Sequence, residues 1–431
     1  MQYYSTNGRN YLTDLCDAVT KSTAPDGGVY MPYSIPYIPK ALFKNISEMS
    51  LTDIAYVVGT SLFGSDIGAE EINTIVKETL NFPIPLVQIT DRVYSLELYH
   101  GPTGSFKDIG ARFMSKIVEH FVNTGEVGDG RSLNILVATS GDTGSAVANA
   151  FSGVQGVRVF IFHPKDKIFW QRNNSVISAP NIIPVEIRGT FDECQQLVKM
   201  AYADKELNKN LNLTSANSIN IARLLPQTFY YFHAYARILA SGYTSPDITI
   251  ATPCGNLGNL TAALFAKQMG LPITHIMAAG HGTDRLWGDI RDGILSVSAF
   301  NNRALSTNLS RINDLIHESP DLANIIECHT YCGTEIDSQI RDVYERFGYM
   351  MDRNTAMACK ALADNIPTGS VGVFLATAHP SKYRDKIKEL TGEEIPLLEY
   401  ANNNNVMKSE RHHTLSATFP AVRKFLYEYN N

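Results

Sequence analysis

The sequence predicts an α/β protein with parallel sheets. The main observation is a layout that occurs three times: an apolar run, a turn of small polar residues, then helical spacing. It occupies residues 133–151, 248–266 and, more weakly, 371–383. Two further apolar runs, 157–162 and 273–278, read as strands between these units. Short buried strands alternating with helices belong to parallel sheets covered on both faces. Ligands of such folds sit beyond the carboxyl ends of the strands, where the three turns would gather.

Composition narrows the class. The chain has 431 residues, 44% hydrophobic and 19% charged, enough for a soluble core of one to three domains. A net charge of −6 argues against a nucleic-acid surface or a basic membrane face. No apolar run is long enough to span a bilayer, and the first ten residues lack a charged-then-apolar leader layout. The six cysteines, at 16, 194, 254, 328, 332 and 359, are too scattered for a disulfide framework and suit a reducing cytoplasm. Cys328-His-Thr-Tyr-Cys332 has no second ligand pair nearby, so no metal is expected.

Along the chain, Ala24-Pro-Asp-Gly-Gly-Val-Tyr-Met-Pro32 reads as a turn-rich loop entering a short extended piece. Residues 50–63 and 68–80 carry helical spacing, with Ser50 and Asp66 as candidate N-caps. Prolines extend residues 82–86, and a strand over 93–99 feeds a turn broken by Gly101, Pro102 and Gly104. Ile109, Phe113, Ile117 and Phe121 then mark one face of a helix. Lys107 falls at the start of that helix, where the dipole is positive and disfavours a cation. A lysine amine that deprotonates easily there is suited to forming a Schiff base. The plain alternative is a surface lysine beside Asp108. Near the end, the polar run 402–405 precedes a last helix over 419–429.

Four more stretches carry candidate chemistry. Cys254-Gly-Asn-Leu-Gly-Asn259 opens onto a helix, and its glycines and free N–H groups suit a phosphate; a tight turn is the plain alternative. It is neither a Walker A loop nor a three-glycine dinucleotide loop. Thr139-Ser-Gly-Asp-Thr-Gly144 could hold a carboxylate through hydroxyls and N–H groups, or serve as a helix cap through Ser140 or Asp142. In residues 215–223, Asn217, Ser218 and Asn220 offer donors, and Arg223 offers a fork suited to phosphate; alone, a solvated loop is the plainer reading. Thr377-Ala-His-Pro380 follows a strand, with Thr377 placed to meet a ring nitrogen and His379 read as structural. A Gly-x-Ser-x-Gly hydrolase elbow is absent.

Together these stretches resemble the threonine synthase family in its longer form with an N-terminal extension. The resemblance rests on Ala24-Pro-Asp-Gly-Gly-Val-Tyr30, His100-Gly-Pro-Thr with Phe106-Lys-Asp108, and residues 139–144, together with Asn217-Ser-Ile-Asn with Arg223, residues 255–259, and 377–380. It implies a tryptophan-synthase-β-like fold of type II and pyridoxal 5'-phosphate as cofactor. The implied lyase reaction turns O-phospho-L-homoserine and water into L-threonine and phosphate. It also implies roles. Lys107 would bear the cofactor and shuttle protons. Gly255, Asn256, Leu257, Gly258 and Asn259 would hold the cofactor phosphate, Thr377 would face the pyridine nitrogen, and Asp142 would lie by the ring. Thr139, Ser140, Gly141 and Thr143 would receive the substrate carboxylate, and Asn217, Ser218 and Arg223 its phosphate.

The implied division is an N-terminal region over 1–90, a lysine and substrate domain over 91–225, and a cofactor-phosphate domain over 226–431. A cytoplasmic monomer or homodimer is expected, with no nucleic-acid or membrane partner. The chain departs from the family pattern at Cys254, where serine is usual, at Leu257, where phenylalanine is, at Asn354, where histidine is expected, and over Gly280-His-Gly-Thr-Asp284. The rival expectations are a phospholyase on the same scaffold, releasing phosphate and a 2-oxoacid, and a non-catalytic binding homologue.

Overall fold

A computed structural model describes residues 1–127, 130–139, 141–165, 179–281, 307–396 and 413–430. Ser140, residues 282–284 and the polar run 402–405 lie outside them.

The chain opens with a small antiparallel sheet of β1 (Tyr3–Ser5), β2 (Gly8–Thr13) and β3 (Tyr30–Pro32), with β1 in the middle. The helix Leu51–Phe63 follows, with Ser50 as N-cap in a full capping box with Asp53. The next helix, Ala69–Thr79, is preceded by Gly68 and not by a capping Asp66. The Asp66 carboxylate instead pairs with the Met1 amino group at 2.5 Å. Here a long-range ion pair displaces the local cap that residue type suggests.

The chain then enters a six-stranded sheet, leaves it, and returns. β4 (Leu86–Thr90) and β5 (Val93–Glu97) lie at one edge. β6 (Leu133–Ala138), β7 (Val157–Pro164), β8 (Ile182–Arg188) and β9 (Leu213–Ser215) form most of a second, parallel sheet. β10 (Ile248–Pro253), β11 (Ile273–His281), β12 (Ile326–Tyr331) and β13 (Val371–Ala376) complete the first, in the order β12-β11-β10-β13-β5-β4. Last, β14 (His413–Ser416) joins the second sheet beside β8. Sheet membership therefore crosses the boundaries at 90 and 225: β4 pairs with β5, β5 with β13, and β14 with β8. Hydrogen bonding between strands, not position in the chain, decides which stretches share a sheet.

The strands are apolar on both faces because both faces are covered. On β6, Leu133, Ile135 and Val137 enter the main core, and Leu136 and Ala138 enter a second core. On β13, Val371, Val373 and Leu375 enter the main core and Phe374 a third. The helix Lys107–Asn123 runs through the main core and buries Ile109, Phe113, Ile117 and Phe121 along one side.

Candidate active site

The turns after β5, β6, β9, β10 and β13 each follow the carboxyl end of a parallel strand. The lysine turn is the most tightly built. Asp108 is fully buried and accepts from Thr103 twice, from its N–H at 2.8 Å and its hydroxyl at 2.7 Å. Burial raises the Asp108 carboxyl, opposed by the two Thr103 bonds. Gly104 sits at φ +63°, a conformation that a β-carbon disfavours. The turn is tied to the extension of β13 by Phe106 N–H to Thr377 O and His379 N–H to Gly104 O, both 3.0 Å. Lys107 thus becomes the first residue of its helix, in a turn held beside Thr377.

The Lys107 amine is not on the open surface. Its Nζ lies 3.7 Å from Asp142 Oδ2, and Lys382 Nζ donates to the other Asp142 oxygen at 2.7 Å. Burial holds the amine below the ordinary lysine range; Asp142 draws it back up, while Lys382 and Arg223 push it further down. Burial alone would raise Asp142, yet Lys107 and Lys382 outweigh it and keep the carboxylate ionised below its usual range. Asp352, also buried, is raised by burial despite bonds from Thr355 and two backbone N–H groups. Thr355 Oγ in turn accepts from Thr377 N–H at 3.3 Å. Neither Lys382, within the weak unit 371–383, nor Asp352 carries a signal of its own in the sequence.

Arg223 is buried, not a solvated surface charge. Its guanidinium donates to Ala216 O and, at 3.5 Å, to Lys107 O. Its Nε is buried with no partner among the described residues. Burial lowers it to about 10. Gly110 is required beneath it, because a β-carbon there would lie 2.5 Å from Arg223 O. Asn220, offered by sequence as a ligand donor, is committed elsewhere: its Nδ2 donates to Val19 O at 2.7 Å and Ser215 O at 3.0 Å. Asn217 is partly exposed at the turn after β9.

The 254–259 turn stands beside Ser218. Ser218 Oγ accepts from Asn256 Nδ2 at 2.9 Å and from Asn308 Nδ2 at 3.2 Å. Leu257 sits at φ 62° in the left-handed region, strained for a branched side chain, and starts the helix Gly258–Gln268 without a side-chain cap of its own. Gly255 is exposed with open space around it, and the Asn259 amide Nδ2 is buried without a partner among the described residues. An open glycine turn, a helix N-terminus and an orphaned donor together suit an anion. Cys254 is buried, with Sγ turned to Thr252 O at 3.5 Å.

In the 139–144 turn, the Thr139 hydroxyl is a local cap and Asp142 is not; Ser140 lies outside the described residues. The Thr139 hydroxyl accepts from Gly141 and Gly144 N–H groups, each at 3.1 Å. Asp142 faces the lysines, and Thr143 is partly exposed. His379 caps the short turn Pro380–Tyr383 and packs edge-on against Tyr99, a structural role. Asn354 is exposed on the first turn of the helix Arg353–Asn365. Gly280 and His281 end β11. Cys332 caps the helix Gly333–Phe347.

A family model described as pyridoxal-phosphate dependent enzyme matches residues 79–377, and one described as threonine synthase N terminus matches residues 2–80. Threonine synthase from Escherichia coli (strain K12) is 34% identical over 436 residues, covering 99% of each chain. The crystal structure of threonine synthase from Escherichia coli aligns with a TM-score of 0.88 at 32% identity, over 100% of both chains. The crystal structure of PLP-bound threonine synthase from Brucella melitensis aligns at 0.85 and 28% identity, again over 100% of both.

Proposed function

The chain belongs to the threonine synthase family, and from that premise we propose which of its residues carry the reaction. It is a pyridoxal-phosphate enzyme that converts O-phospho-L-homoserine and water to L-threonine and phosphate. The residues present fit that cofactor. Lys107 offers a half-buried amine held below the ordinary lysine range, and the 255–259 turn offers a helix start whose N-cap Leu257 supplies no side-chain bond, beside the orphaned Asn259 amide. When bound, the cofactor supplies an electron sink for proton loss next to the substrate amine.

Lys107 is the catalytic residue: its amine would bear the cofactor and, as a free amine, would take and return the proton at the α carbon. Gly255, Asn256, Leu257, Gly258 and Asn259 hold the cofactor phosphate through N–H groups. Thr377 would present a neutral hydroxyl to the ring nitrogen, leaving it less protonated than a carboxylate would, and Asp142 would lie by the ring. Thr139 shapes the turn in which Gly141, Thr143 and, from the sequence, Ser140 receive the substrate carboxylate. Asn217, Ser218 and Arg223 bind the substrate phosphate, and the released phosphate stays within reach as acid or base for water addition at the β carbon.

The observation that carries this reading is Arg223: a buried cation beside Lys107, with Nε unpaired and no carboxylate in ion-pair contact among the described residues, Asp108 acting on it only from beyond contact. A buried charge left that way favours an anion as its missing partner. The stretches 1–90, 91–225 and 226–431 divide the work into support, lysine and substrate, and cofactor phosphate. No described helix is long and apolar enough to cross a membrane. We place the enzyme in the cytoplasm as a monomer or homodimer acting without nucleic acid.

The test supplies O-phospho-L-homoserine and pyridoxal phosphate and quantifies phosphate, threonine and 2-oxobutyrate together. Equal phosphate and threonine is expected. Phosphate with 2-oxobutyrate would mean a phospholyase, and no chromophore fixed to Lys107 by borohydride would mean a non-catalytic homologue.

A further inference from the structure

One carboxylate, Asp142, stands between two lysines, and the two contacts are unequal. Lys382 Nζ is 2.7 Å from Oδ1, within hydrogen-bond distance, and only 8% of its side chain is exposed. Lys107 Nζ is 3.7 Å from Oδ2, outside it. Asp142 begins the helix Asp142–Phe151, and Lys382 lies in the short turn Pro380–Tyr383, 240 residues away in the chain. Both anchors are fixed. Thr139 caps the first, and the second follows a segment clamped to the lysine turn through Thr377 and His379.

We propose that Lys382 is a positioning residue for Lys107: it holds Asp142 in a direct ion pair, so that the carboxylate stands beside the Lys107 amine without binding it. This inference rests on Lys107 bearing the cofactor.

The physical reason is competition for one anion. A carboxylate that closes on a buried ammonium favours its protonated form. Lys382 occupies the close position first, and its own charge adds repulsion. Lys107 is faced by Asp142 and by Lys382, by Arg223 from the helix Ile221–Leu224, and by Asp352 from the cap of the helix Arg353–Asn365. Lys382 is itself faced by Asp108 and His379. Asp142 and Asp352 both draw the Lys107 amine up, Asp142 more strongly, so Asp142 is the main anion that decides how tightly the amine keeps its proton. Removing Lys382 takes away a repulsive charge and frees Asp142 to close on Lys107. Both changes favour the protonated amine, so the form that gives up its proton appears at higher pH.

The experiment is a pH titration of the visible absorption band of the holoenzyme, with kcat/KM measured over the same range, for wild type, Lys382→Met, Lys382→Arg, Asp142→Asn and the Lys382→Met/Asp142→Asn pair. Lys382→Met is expected to move both midpoints up by about one pH unit. Lys382→Arg, which keeps the ion pair, should stay near wild type. In the Asp142→Asn background, Lys382→Met should give a clearly smaller shift. An unchanged midpoint in Lys382→Met, with kcat lowered equally at every pH, would overturn the proposal, as would Lys382→Arg behaving like Lys382→Met. Should Lys382→Met not fold, Asp142→Asn alone decides: its midpoint must move down. A wild-type protein with no band at all would instead overturn the assignment of Lys107.

Discussion

Two arginines, Arg223 and Arg311, are both buried without a carboxylate partner among the described residues, and they do opposite things. Burial lowers both, Arg223 to about 10 and Arg311 to about 9. Arg311, on the helix Thr307–Glu318, donates through all three nitrogens to protein acceptors. Tyr30 O receives Nε at 3.2 Å and Nη2 at 3.1 Å, while Ser218 O at 3.1 Å and Asn308 Oδ1 at 3.0 Å receive Nη1. Nη2 also donates to Ile219 O. Arg223 leaves Nε unpaired and reaches Lys107 O at only 3.5 Å. The lesson is that saturation, not burial, separates a cation whose donors are all spent on the fold from one that keeps a donor free among the described residues. Arg311 ties β3 to the turn carrying Ser218; Arg223 keeps bonding capacity next to Lys107.

That difference can be broken experimentally. Arg311→Ala should be the most damaging to stability, because it strips donors from the carbonyls of Tyr30, Ser218 and Ile219. A loss of about 3–5 kcal/mol is expected, read from urea unfolding midpoints. A loss under about 1 kcal/mol would put Arg311 in the same class as Arg223. Arg223→Lys keeps the charge but loses the planar fork. It should lower kcat/KM by about 30-fold, roughly 2 kcal/mol, with stability changed by less than about 1 kcal/mol. Ser218→Ala is the mildest. Ser218 Oγ accepts from Asn256 and Asn308, so its loss loosens the seam between the 215–223 and 254–259 turns. A KM rise of about five-fold, roughly 1 kcal/mol, is expected from steady-state kinetics.

Local features were legible in the sequence. The strand–turn–helix units at 133–151 and 248–266 folded as read because each is specified by its own apolar run and breaker residues. The helix after Lys107 buries the residues its spacing marked. What escaped is what depends on distant partners. Asp66 serves Met1 and not its neighbouring helix. Asn220 serves Val19, and Arg223 is buried because Gly110 lets its backbone approach. Lys382 lies inside the weak unit 371–383, yet its meaning comes from Asp142, 240 residues earlier. Arg311 lies in an ordinary amphipathic helix with nothing to mark it. The interleaving of the two sheets likewise follows from pairing across the chain, which neither periodicity nor breakers encode.

The most direct measurement takes Arg223→Ala and determines two quantities side by side: the dissociation constant for pyridoxal phosphate, and KM for O-phospho-L-homoserine at saturating cofactor. If Arg223 holds the substrate phosphate, cofactor affinity stays near wild type while KM rises by about 100-fold, roughly 2.7 kcal/mol. Loss of cofactor affinity with KM unchanged would contradict it and move Arg223 to the cofactor phosphate.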